Sequence, residues 1–72
     1  MTQKFTLAAQ ISEIDFELSM RARVYPHRVA RGLLRQGEAD MHVAILENVR
    51  ATLVFMRDNE AAIRAVFAKE QP

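Results

Sequence analysis

The chain has no cysteine and no tryptophan, and only two glycines and two prolines among its 72 residues. Without cysteine there are no disulfide staples and no thiol nucleophile, and the composition fits a reducing compartment. Two glycines leave no glycine-rich loop to cradle phosphate. No stretch approaches the ~18 uninterrupted apolar residues of a membrane span. The start, Met-Thr-Gln-Lys-Phe-Thr, has no apolar run long enough for a signal peptide. Neither sign of charge dominates, since the net charge is +1, well short of the usual nucleic-acid footprint. A soluble cytoplasmic protein is expected, with no cofactor, no metal and no membrane attachment.

Half of the composition is apolar, so the chain is not a disordered tail. Eleven alanines beside so few helix breakers favour helix throughout. The length allows one domain, residues 1–72. A chain this short rarely gains more than ~3–5 kcal/mol from a single core. Disulfides and metals being set aside, self-association is the remaining source of stability.

The spacing predicts a first helix over about 6–24, with Thr6 as N-cap. Leu7, Ile11, Ile14, Leu18 and Tyr25 share one face at about 100° per residue. Phe5, Ala9, Phe16 and Met20 form a second apolar set nearly opposite. Tyr25-Pro26 should end this helix, because proline disfavours the α conformation in the residue before it. Residues 25–36 then read as an elbow, with a short Pro26-initiated turn closed by Gly32 in the left-handed conformation. Val29, Leu33 and Leu34 are expected to fold back and pin it.

A long second helix is predicted over about 37–69, with Glu38 and Asp40 in its first turn, where they suit the helix dipole. Its seam reads as Ile45, Leu46, Val49, Leu53 and Met56, continued by Ile63 and Phe67. Met41, Ala44, Ala51, Phe55, Ala62 and Val66 widen the apolar sector well past the roughly 100° stripe that one neighbour requires. Asp58-Asn59-Glu60 interrupts the pattern. With no glycine or proline to force a break at 58–60, a continuous helix is the favoured reading and a capped third helix the alternative.

The fold class that follows is all-α: a helical hairpin with a Pro-initiated elbow, associating into an antiparallel four-helix-bundle-like homodimer. Phe16, Met20, Phe55, Ile63, Val66 and Phe67 are the candidate dimer contacts. Parallel and antiparallel pairings, and dimer and tetramer, remain open on the residues alone.

Charge is segregated. From Leu18 to Gly37 there is no acid, yet Arg21, Arg23, Arg28, Arg31 and Arg35 all fall there, with His27 among them. These arginines and Tyr25 are the candidate contacts for a partner or a nucleic acid; a dimer would offer the patch twice, as a two-fold duplex would need. The bland alternative is a solvated elbow whose arginine stems cover the turn, with Arg21 paired to Glu17 one helical turn away. A helix-turn-helix is disfavoured, because the second helix is too apolar to present side chains to a groove. Glu38 and His42, one turn apart, could share a metal with a second copy, but a packed histidine is the commoner outcome. Ser12 and Ser19 have no base on their own helix face, and Glu13 and Glu17 sit on a polar side. No catalytic residue is assigned, and the chain is read as not an enzyme. Glu60 either sets register in the seam or marks its end; the second reading is preferred.

Arg23-Val24-Tyr25-Pro26, Val29-Ala30-Arg31-Gly32, Gln36, Glu38-Ala39-Asp40, Ile45 and Val49-Arg50-Ala51-Thr52-Leu53 together resemble a group of small uncharacterised helical proteins of proteobacteria and their prophages. The likeness covers roughly Leu7 to Met56, and the Arg-Val-Tyr-Pro elbow is its most specific part. In that group a threonine before the glutamine caps the second helix; Arg35 stands there in this chain. The resemblance implies a phage-associated context and no activity. The expected role is a non-enzymatic interaction or adaptor protein, with a small DNA-associated regulator acting through the elbow as the alternative.

Overall fold

A computed structural model describes residues 4–70, with side-chain surroundings through residue 68. All its regular structure is helical: α1 (Leu7–Ala30), α2 (Gln36–Asp58) and α3 (Glu60–Glu70). α1 and α2 pack as a hairpin, and α3 leads on from the end of α2.

α1 starts where a helix needs a side-chain acceptor. Thr6 is extended (φ −66°, ψ 159°), and its hydroxyl oxygen accepts from the Ala9 N–H at 3.1 Å. The Gln10 side-chain amide donates to the Phe5 carbonyl at 3.1 Å and holds the entering chain. The expected end near Val24 does not occur. α1 runs through Tyr25 and Pro26 to Ala30, so Tyr25 is helical and not extended. Pro26 removes one helical donor, and the carbonyl that loses it belongs to Ala22. Ala22 and Pro26 are both exposed, which leaves that carbonyl open to water. Tyr25 and Val29, on either side of the proline, are half-buried and line one groove with Ala39 and Val43 of α2. Packing of these side chains outweighs the local cost of the proline.

The helix stops at Gly32, whose φ of +73° is the left-handed conformation that side chains resist. The Gly32 N–H donates to the Val29 carbonyl at 3.0 Å and the Leu33 N–H to the Arg28 carbonyl at 2.9 Å. This pair of bonds is a Schellman stop. Leu34 is half-buried, but Leu33 is 69% exposed and does not pin the elbow. Arg35 is the N-cap of α2 and makes no capping bond from its side chain.

α2 does not continue to residue 69. Asn59 interrupts it at φ −116°, ψ 16°. Its side-chain amide and its own N–H both donate to the Phe55 carbonyl, at 2.8 and 3.1 Å. Asparagine commonly competes with the helical ladder in this way, and no glycine or proline was needed. The next helix opens with the Ile63 N–H on the Asn59 carbonyl at 2.9 Å. The two arms are therefore nearly equal, 24 and 23 residues, or about 35 Å each. α3, with 11 residues, is the overhang.

The core is thin. Only Ile11, at 5% exposure, and Ala39, at 3%, are buried among the described residues. Leu7, Ile14, Leu18, Tyr25 and Val29 of α1 are half-buried, as are Val43, Leu46, Leu53 and Val54 of α2. The α1 seam lies where the spacing placed it. The α2 seam is turned: Ile45, Val49 and Met56 are exposed, and Ala39, Val43 and Val54 take the inner positions. The radius of gyration is 16.9 Å and the extents are 57 × 24 × 20 Å; a compact chain of this length has a radius near ~11 Å.

Two substitutions test this account. Arg35→Thr supplies the missing cap of α2 and should raise stability by about 0.5–1 kcal/mol in thermal unfolding, since the Arg35 side chain is 91% exposed and no packing is lost. Asn59→Ala removes the competing amide and should join α2 to α3. The check is slower amide exchange at residues 60–63 with higher far-ultraviolet helicity; unchanged exchange there would show that another contact makes the break.

Candidate interaction surfaces

Two contacts across the hairpin settle which way each face points. On one flank the Asp15 carboxylate receives the Arg50 guanidinium at 2.6 and 3.3 Å. On the other, Arg21 Nη1 donates to the His42 carbonyl at 3.2 Å. At about 100° per residue, Val24 of α1 lies on the Arg21 flank. Ile45, Val49 and Met56 of α2 lie on the His42 flank, which is the same side. One exposed apolar stripe therefore runs along α2 on that flank, with Met41 at its edge; on α1 the charged Glu17, Arg21 and Arg28 stand beside Met20 and Val24. Val24, Met41, Ile45, Val49 and Met56 are exposed, and Met20 is half-buried.

The candidate dimer contacts do not fall together. Phe16 and Phe55 are both exposed, but each lies roughly opposite its own helix's inner face, at opposite outer edges of the hairpin. One neighbour cannot cover both. Met20 is half-buried and lines a groove with Glu17, Arg21 and Val24 of its own helix. Ile63 is half-buried, and Val66 and Phe67 are exposed on α3. Sequence reasoning misses the exposed stripe of α2 because it assigns Ile45, Val49 and Met56 to the inner seam. The 4, 4 and 7 spacing of Met41, Ile45, Val49 and Met56 is a readable signal for it.

The basic elbow divides in two. Arg21 bonds Glu17 at 3.0 Å, reaches the His42 carbonyl, and sits over the Tyr25 ring at 5.7 Å from its centroid. Arg21 and Tyr25 thus hold the hairpin together. Arg23, Arg28 and Arg31 are exposed and make no ion pair among the described residues. Arg35 touches Glu38 only at 4.0 Å. These four arginines, with exposed His27, form an open cationic end whose tip is Leu33.

Other candidates find little support. Among the described residues no group of three or more His, Cys, Asp or Glu side chains could hold a metal, so Glu38 and His42 do not make a site within one chain. Ser12 and Ser19 are exposed. Glu60 is half-buried and bonds Arg64 at 2.7 Å, an ordinary i,i+4 surface pair. No described helix is long and apolar enough to cross a membrane. Comparison with protein-family models, with curated proteins and with solved structures gives no match.

Hydrogen bonding from Arg50 and its charge hold the Asp15 carboxyl below its ordinary 3.8, and Asp15 raises Arg50 in return. A carboxyl with a lowered folded-state pKa contributes stability above its unfolded pKa and loses it as pH falls through the folded one. Asp15→Asn should therefore be less stable than the parent at neutral pH. The gap should close as pH drops below 3.8, followed by urea unfolding at each pH. Both side chains are about half exposed, so the gap is small and shrinks with salt. A gap that persists at low pH would place the contribution of Asp15 elsewhere.

Proposed function

We propose that this chain is a non-enzymatic helical interaction protein, an adaptor that self-associates through its apolar face and offers its cationic elbow to another macromolecule. The observation that carries the reading is the imbalance between exposed and buried apolar side chains. Eleven large hydrophobic residues are exposed and only two residues are buried among those described. A hairpin that leaves this much apolar surface in water has a neighbour in its working state. In keeping with the likeness of the Arg-Val-Tyr-Pro elbow, the context proposed is a phage-associated one.

A second reading, a small DNA-associated regulator, is favoured by one specific observation: Arg23, Arg28 and Arg31 are exposed at one end of the molecule and unpaired among the described residues. A self-associated pair would carry two such ends. Phosphate-driven binding is strongest at low salt and weakens steeply as salt rises.

Sedimentation equilibrium at micromolar concentration should give twice the 8.2 kDa chain mass; a single chain that melts cooperatively would remove the adaptor reading. Fluorescence anisotropy with a labelled DNA duplex separates the alternatives. Binding that fades with salt, and is lost in the Arg28→Ala, Arg31→Ala, Arg35→Ala triple variant, identifies the regulator. No binding at low salt leaves the protein-directed adaptor alone.

A further inference from the structure

We propose that the open cationic end of the hairpin is a docking tip for an anionic phospholipid surface, and that Leu33 is the residue that enters it. This takes the elbow of the adaptor reading and names its partner; it does not rest on self-association. Charge and shape meet at this end. Between Leu18 and Gly37 there are five arginines and no acid. Arg28 and Arg31 are exposed and make no ion pair among the described residues, and Arg35 reaches Glu38 only at 4.0 Å. The tip of the turn is apolar, since Leu33 is 69% exposed. It stands between Arg31 and Arg35 in the chain, and its N–H donates to the Arg28 carbonyl. One bare leucine is thus held among three arginines.

Local structure does not account for that leucine. In a Schellman stop the residue after the glycine commonly packs on an apolar side chain of the last helical turn. Here that place belongs to Arg28, and Leu33 stays in water. A bilayer surface carries phosphates just outside an apolar layer, so arginines around an apolar tip match both at once. The arginine stems can follow the tip while their charges stay with the phosphates. Two other anionic partners fit less well. Duplex DNA is read through polar side chains on base edges, and the one side-chain amide at this end, Gln36, is engaged with Asp40 at 2.9 Å. An acidic peptide would pair the arginines and leave Leu33 uncovered. Contact at a surface needs no membrane-crossing helix, and no described helix is long and apolar enough to be one.

The absence of native tryptophan makes the test direct. Leu33→Trp places a single indole at the tip, where no packed contact is lost. Phe55→Trp places one at an exposed position of α2, about 28 Å along the helix from the elbow. At low salt the emission of the Leu33→Trp variant should shift to the blue with phosphatidylglycerol vesicles and stay unchanged with phosphatidylcholine vesicles. That of Phe55→Trp should respond to neither. As a second measurement, the parent should co-sediment with phosphatidylglycerol vesicles, and less so as salt rises. Leu33→Ser should weaken that binding on the order of tenfold, and Arg31→Ala about fivefold. A silent Leu33→Trp indole, or an equal response from Phe55→Trp, overturns the proposal. Binding to a DNA duplex without binding to vesicles also overturns it, and leaves the regulator reading standing. If neither binds at low salt, this proposal and the regulator reading both fail, and the sedimentation of the parent decides the adaptor reading separately. The parent and Leu33→Ser still decide the matter should Leu33→Trp not fold.

Discussion

The seam between α1 and α2 is the contact on which the rest of the molecule depends, and Ile11 and Ala39 mark its two ends. Ile11 packs near the open end of the hairpin. Ala39 sits at the elbow end, where its small side chain faces the groove formed with Tyr25 and Val29. Full burial of one isoleucine contributes roughly 2 kcal/mol, and most other seam residues are only half covered. Against this stands a backbone cost of about 1–2 kcal/mol for each ordered residue. Such a seam sets the geometry of the hairpin while burying only two residues among those described.

That shortage gives the exposed face its meaning. A hairpin with one thin seam has two routes to stability: a larger core of its own, or a neighbour. The first is little used, because α3 continues from α2 and meets α1 only at the rim of a groove lined by Leu7, Gln10, Glu60 and Arg64. The neighbour proposed above would lie along the exposed stripe of α2. Polar contacts serve the same geometry. Asp15–Arg50 clamps one flank, and Arg21 clamps the other through Glu17, the His42 carbonyl and the Tyr25 ring. The flank held by Arg21 is also the flank that carries the apolar face. One arginine therefore helps to orient it, while its neighbours in sequence stay free at the elbow.

The elbow shows how local chemistry and packing divide the work. Gly32 stops α1 because its φ is positive and two backbone bonds close the turn behind it. Pro26 does not stop it, although the residue before a proline resists the helical conformation. The difference lies in what each feature competes with. Past Gly32 nothing favours more helix, whereas around Pro26 the half-buried Tyr25 and Val29 both gain by staying helical. Asn59 is the reverse case, where a side-chain amide shares the Phe55 carbonyl with the residue's own N–H at the one residue between α2 and α3, in a pattern with no other breaker.

What the sequence by itself determined was local. Composition made the chain helical, Thr6 and Gly32 set two helix ends, and the 4, 3, 4, 7 spacing from Leu7 to Tyr25 picked out the inner face of α1. It also segregated the arginines. What only the tertiary structure decided was which of several equivalent choices was taken. α2 is apolar over so much of its circumference that periodicity alone admits more than one inner face, and packing against α1 selected Ala39, Val43, Leu46, Leu53 and Val54. The same contact turned Ile45, Val49 and Met56 outward and took Arg21 and Tyr25 out of the open elbow. A helix pattern records which side chains are apolar; which of them meet water depends on where the partner helix lies, and that is a property of the pair.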